Sequence, residues 1–190
     1  MSQQTIRYPR LADIMSFFFR ASLKGYAGGG RFTKASCEDI LPEKEFRFHE
    51  DFAKGTLIYV DRYVRNGELS RGDTTIYFET PVPQKPVVVP IWSMWYHGWC
   101  SEKDKEAIIA HLKDRLRCAY ETRVFRGGRG KLEDRSGSPS FQYRNSFQGD
   151  FSHFNGKEFV SQNTSGTWRD VFWHEYGGIL FIPASTFVDE

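Results

Sequence analysis

A stretch of β-type sequence that recurs at a fixed distance limits the folds open to this chain more than any other feature. Tyr59, Asp61, Tyr63, Gly72 and Ile76 are matched 84 positions later by Tyr143, Asn145, Phe147, Gly156 and Val160. A constant offset across five similar residues predicts that one supersecondary unit is used twice. Strand side chains alternate between faces, so Tyr59, Asp61 and Tyr63 share one face and Tyr143, Asn145 and Phe147 share the corresponding face of a second strand. After a shorter loop, Trp95-Tyr96-His97-Gly98 aligns with His174-Glu175-Tyr176-Gly177 at an offset of 79.

A helix precedes each set of strands. Leu11, Ile14, Met15, Phe18, Ala21 and Leu23 form a helical stripe behind Pro9, and Gly28, Gly29 and Gly30 follow it as terminators. Residues 31–50 are polar without a clear period and read as a loop. Period-two sequence starts at Thr56, turns at Asn66-Gly67, resumes at Thr74–Glu79, is interrupted by Pro81, Pro83 and Pro86, and returns as Val87–Trp99. Ser101 with Asp104 reads as a cap for a second helix over about 102–121, carrying Ile108, Leu112, Leu116 and Ala119. Lys113–Arg135 holds eight basic residues against four acidic ones and reads either as an anion-holding segment or as a solvated helix end and mobile loop, the loop being the Gly- and Arg-rich stretch 126–138, and strands follow at Phe141–Phe147, Phe154–Ser161 and Trp168–Phe181. The expected fold is α+β: one domain, 1–190, of two duplicated α-β-β-β halves (about 11–100 and 101–182), with an antiparallel curved sheet and two helices packed on it.

Composition narrows the function classes. Aromatics make up 16% of the chain, with 17 Phe, 9 Tyr and 5 Trp, which suits a packed core and excludes a disordered chain. A net charge of +2 gives too weak a field for general nucleic-acid binding, so no nucleic-acid partner is expected. No apolar run approaches the length of a membrane span and the N-terminus lacks a signal-peptide core, so the expectation is a cytoplasmic protein with no membrane partner. Cys37, Cys100 and Cys118 are odd in number and unpaired in spacing, which fits a reducing compartment. His49, His97, His111, His153 and His174 form no ligand-spaced set, so no metal is expected. No cofactor is expected either, because the glycine triplet follows a helix and faces the negative end of its dipole.

Two stretches carry the candidate chemistry. Asp61 lies between Tyr59 and Tyr63, and Asn145 between Tyr143 and Phe147. A carboxylate on a buried aromatic wall has a raised pKa unless donors hold it, and can act as a base or ligand anchor; alternatively it is a hydrogen-bonded structural group. Trp92 and Tyr96 share one face of their strand, Trp95 and His97 the other, which fits a strand lining a cavity or one buried in a core. In the core reading Trp95→Ala should cost about 3–5 kcal/mol. His174 beside Glu175 points to the opposite face, so the two cannot act on one atom.

Tyr26-Ala27-Gly28-Gly29-Gly30, Tyr59-x-Asp61-x-Tyr63, Trp92-Ser93-Met94-x-Tyr96-x-Gly98, and Gly149-Asp150-Phe151 through Gly156 to Gly177-Gly178 make the chain similar to a bacterial family, domain of unknown function family 5680. The likeness runs from about Met15 to Ile182. Some members carry a helix-turn-helix domain ahead of this one, and the short lead before helix one implies its absence here. The resemblance implies a fold-level grouping and brings no catalytic residues.

The function expected is a small-molecule binding domain whose aromatic pocket lies between the halves. Its candidate ligand-binding residues are Tyr59, Asp61, Tyr63, Trp92, Trp95, Tyr96, His97, Tyr143, Asn145, Trp168, His174 and Tyr176. The alternatives are a cofactor-independent isomerase, hydrolase or lyase of a small metabolite, with Asp61 or His174 as base, and a protein-interaction module. A homodimer stays open.

Overall fold

The computed structural model describes residues 8–35, 43–81, 86–131, 133–134 and 140–182. Helix α1 (Leu11–Lys24) is followed by strands β1 (Thr33–Ala35), β2 (Glu43–Phe52), β3 (Gly55–Asn66), β4 (Leu69–Glu79) and β5 (Val88–Cys100). Helix α2 (Lys105–Thr122) then leads to β6 (Glu133–Asp134), β7 (Phe141–Gly149), β8 (His153–Thr164) and β9 (Thr167–Leu180). Among the described residues the strands make one antiparallel sheet in the order β1-β2-β3-β4-β5-β9-β8-β7-β6, so β5 and β9 meet at its centre. Both helices pack on the sheet and on each other, which is the α+β arrangement expected.

Local sequence explains most boundaries. Asp13 sits in the first turn of α1 and accepts from the Arg10 guanidinium at 3.0 Å, Lys24 closes the last turn, and Ile14, Phe17, Phe18 and Ala21 fill the inward stripe. The chain leaves α1 at Gly25, and Gly30 donates back to the Gly25 carbonyl at 2.8 Å. Asn66 pairs with Leu69 across a two-residue turn in which Gly67 has φ +58. Ser101 does not cap α2: its hydroxyl accepts from the Lys103 amide at 3.2 Å, and the helix begins at Lys105 behind a left-handed Asp104.

Three expectations change. The polar stretch 31–50 is not a loop throughout, because Glu43–Phe52 forms β2 and pairs with β3 along its length. Four long strands rather than three therefore precede α2. The alignment of the last strands shifts by one residue. Gly72 pairs with Tyr96 and Gly156 with Tyr176, residues 80 positions apart where an offset of 79 was expected. The Gly/Arg loop is also not wholly solvated, since Gly127, Gly128, Arg129 and Gly130 are buried. Cys37 lies outside the described residues; Cys100 and Cys118 are free thiols.

The apolar core lies between the helices and the inner sheet face, with Trp92 at its centre. Trp92 is 0% exposed, stacks on Phe151 at 5.0 Å and donates its indole N–H to the Phe151 carbonyl at 2.9 Å. Trp95 belongs to the opposite face and is 48% exposed, against the core placement expected for it. Trp95→Ala should therefore cost about 1–2 kcal/mol, read as a small shift of the urea midpoint. A loss of 3 kcal/mol or more would contradict this placement.

Candidate functional site

A cavity of about 360 Å³ opens between the helices and the inner faces of β3, β4, β5 and β9, a volume suited to a small organic molecule. Phe18, Tyr59, Tyr63, Met94, Leu116 and Phe172 give it an apolar lining. Asp61, Ser70, Arg129 and His174 bring polar groups to the same space. Lys44, Arg65, Lys105 and Lys113 also line it, with Glu106 as the acid among them. Lys44 and Lys113 lie over the rings of Tyr63 and Tyr26 at 5.3 and 4.6 Å.

Asp61 is buried in the wall. Its Oδ1 accepts from the Thr74 hydroxyl at 2.9 Å and from the Tyr96 hydroxyl at 3.2 Å. Tyr96 reaches it by lying over Gly72, where a Cβ would stand 2.4 Å from the phenol, so glycine is what lets the ring cross the neighbouring strand. Burial pushes the Asp61 carboxyl up to about 6, against the opposing hydrogen bonds and the Arg129 charge.

A similar geometry with different contents surrounds Asn145. Tyr176 lies over Gly156 and donates to Asn145 Oδ1 at 2.6 Å. The Asn145 amide donates to the carbonyls of Arg126 and Gly130, both at 3.1 Å. The loop after α2 thus fills, over Asn145, the place that stands open over Asp61. It is seated tightly: a Cβ on Gly127 would come within 2.5 Å of Tyr176, and one on Gly130 within 2.4 Å of Tyr143.

The same loop brings Arg129 to the cavity wall. Arg129 is 8% exposed, and its guanidinium lies 4.9 Å from the Tyr96 ring centre and 5.3 Å from that of Tyr176. Its Nη1 stands 3.4 Å from Glu158 Oε1, while Nε and Nη2 are buried with no hydrogen-bond partner. Glu158 is 0% exposed and also takes the Tyr143 hydroxyl at 2.7 Å and His174 Nδ1 at 3.2 Å. Burial opposes its charge, but Arg129, His174 and Tyr143 outweigh it and hold the carboxyl below the usual glutamate range. Burial also lowers the His174 pKa, so the imidazole is neutral at pH 7. His174 Nε2 lies 3.2 Å from Ser70 Oγ, across Gly98, where a Cβ would come within 2.6 Å of the imidazole.

Of the residues singled out in the sequence, Tyr59, Asp61, Tyr63, Tyr96 and His174 line the cavity. Trp92, Tyr143, Asn145 and Tyr176 are buried among the core and loop contacts and do not line it. Trp95, His97 and Trp168 are excluded by the alternation of their strands: Trp95 and Trp168 are exposed, and His97 stands 3.7 Å from Glu175 on the outer face. Glu175 points away from His174, as expected, and pairs with Lys157. Sequence reasoning passed over Ser70 and Glu158, and took in Arg129 only as one cation of a basic stretch that could hold an anion. The available signal was Glu158 itself, a lone acid between Gly156 and Val160 on an otherwise apolar strand face.

Residues 82–180, just over half of the chain, match the family model described as Domain of unknown function (DUF5680). The chain belongs to this family. The matched part of the DUF5680 domain takes in β5, α2 and β6–β9, and so Arg129, Glu158 and His174. No curated protein and no solved structure matches the chain. No described helix is long and apolar enough to cross a membrane, and no three His, Cys, Asp or Glu among the described residues are placed to hold a metal ion.

Proposed function

We propose that this DUF5680 domain binds a small aromatic organic acid in the cavity, with its carboxylate on Arg129. The observation that carries this reading is a guanidinium that is nine-tenths buried, in the cavity wall, with two nitrogens lacking any hydrogen-bond partner. Arg129 lines the cavity, and a carboxylate there gives this buried cation a second counter-charge beside Glu158. Lys44 and Lys113 favour entry of an anion, and the aromatic lining favours a ring.

We also infer that the two halves descend from one unit and that the pocket lies between them. Support comes from the ladders: Tyr59↔Ile76, Asp61↔Thr74 and Tyr63↔Gly72 recur as Tyr143↔Val160, Asn145↔Glu158 and Phe147↔Gly156. The irregularity after Ile76 recurs after Val160. In this reading the loop over Asn145 occupies the second half as a ligand occupies the first. Asn145 donates to loop carbonyls; ionised Asp61 only accepts, so the ligand carries a hydroxyl or amine toward it.

Titration calorimetry with 4-hydroxyphenylacetate, phenylacetate and neutral phenylacetamide tests the proposal. Both acids should bind and the amide should not. Arg129→Lys keeps the charge that faces Glu158 but loses the planar guanidinium, and should weaken acid binding about ten- to hundredfold. Equal binding of acid and amide, or unchanged affinity in Arg129→Lys, would refute it.

A further inference from the structure

We propose that Ser70, His174 and Glu158 form an acyl-transfer triad that cleaves small aromatic esters in this cavity. The inference rests on the cavity reading for its substrate class, since the acid released is the ligand assigned to Arg129. The three residues come from β4, β9 and β8 and meet through two contacts: Ser70 Oγ to His174 Nε2 at 3.2 Å, and His174 Nδ1 to Glu158 Oε1 at 3.2 Å. Ser70 and His174 line the cavity, whereas Glu158 is sealed beneath it.

The hydrogen-bond network fixes the proton positions. A glutamate carboxylate can only accept, so His174 Nδ1 carries the hydrogen and Nε2 presents a lone pair toward Ser70. The Ser70 hydroxyl therefore donates to Nε2, which is the ground state a serine nucleophile requires. The Tyr143 hydroxyl holds the other Glu158 oxygen at 2.7 Å, so the carboxylate that orients the imidazole is itself held.

In the first half-reaction Ser70 Oγ bonds to the ester carbonyl carbon and its proton passes to Nε2. The ester C–O bond then breaks, and the departing alkoxide takes that proton as the alcohol. In the second, water gives a proton to Nε2 and attacks the acyl carbon; the acyl–Oγ bond breaks and Ser70 Oγ recovers the proton. The acid leaves as its carboxylate with release of a proton. Arg129 shares Glu158 Oε1 with His174 and lines the same cavity, where its charge favours the carboxylate product. Ser70 and His174 are the catalytic residues, and Glu158 is a positioning residue.

The test uses p-nitrophenyl phenylacetate for turnover and a fluorophosphonate for covalent trapping, with the adduct located by peptide mass spectrometry. The adduct should fall on Ser70, and Ser70→Ala should remove it and lower turnover about a thousandfold or to background. Ser93→Ala, on the outer face, should change neither. Nitrogen NMR of the wild-type protein should show His174 protonated at Nδ1, a readout that a merely structural Glu158 contact to an Nε2–H imidazole would not give. Calorimetry with phenylacetate on Ser70→Ala separates the two readings, because retained binding without turnover leaves the anion site standing alone. No adduct on Ser70, turnover unchanged in folded Ser70→Ala, or an Nε2–H tautomer would overturn the triad.

Discussion

Glu158→Gln is expected to destabilise the fold by about 3–5 kcal/mol, although it changes one atom type and almost no volume. Glutamine can still accept from Tyr143, which keeps that 2.7 Å contact. What it cannot do is neutralise Arg129, whose Nη1 stands 3.4 Å from the carboxylate and whose Nε and Nη2 already lack partners. The substitution leaves a buried cation without its counter-charge, and the cost lies in the desolvated Arg129, not in a lost contact of Glu158. Glu158→Leu combined with Arg129→Met should therefore be less destabilised than Glu158→Gln alone, since replacing both ions by apolar groups removes the uncompensated charge. Urea unfolding at pH 7 measures both. If Glu158→Gln unfolds at the parent midpoint, the pair is solvated and the cluster is not the sealed network described above.

Much of this architecture was legible as pattern, and the misses have physical causes. The β3–β4 and β7–β8 hairpins follow from alternation and from Asn66-Gly67, because side-chain period and turn chemistry are local properties. Strand β2 was hidden because its inward side offers Phe46, Phe48 and Phe52 among the polar Glu45, Arg47, His49, Glu50 and Asp51, a stripe too thin to show against a polar background. The offset of 79 aligned Trp95 with His174, which would put the histidine on the outer face. In the ladder His174 pairs with Glu158 on the inner face, and a one-residue slip always exchanges faces in this way.

The site was half legible for a related reason. Asp61 and its tyrosines lie on one strand, so their proximity could be read directly. Ser70, His174, Glu158 and Arg129 come from three strands and a loop, and only the strand order β4-β5-β9-β8 gathers them. Arg129 in particular looks like a solvated cation in a Gly/Arg run. It is buried because the glycines around it leave room for the rings of Tyr176 and Tyr143.

Asp61→Asn should remove a pH dependence on the order of 3 kcal/mol from the stability of the protein. The Asp61 pKa rises from 3.8 to about 6, first because burial penalises the anion. A raised folded-state value means that the native state holds a proton that the unfolded chain releases. The stabilising contribution is therefore fully present below about pH 4 and is lost as pH climbs through about 6. Asparagine can accept from the Thr74 and Tyr96 hydroxyls as the acid does but has nothing to ionise, so the variant should gain on the parent steadily across this window. Glu158 and His174 titrate in both proteins and cancel in the difference, which urea unfolding from pH 4 to pH 8 can follow. Arg129 and Asp73 act on the same carboxyl, the first favouring its charge and the second opposing it. The same ionisation bears on the ligand. An anion at Arg129 is repelled by charged Asp61, so phenylacetate, which offers Asp61 no donor, should bind more tightly below pH 6 in the parent, while Asp61→Asn should show no such gain. Parallel stability curves for parent and variant would mean that Asp61 meets water through the cavity mouth, and its place as the acceptor for a bound ligand would be lost with them.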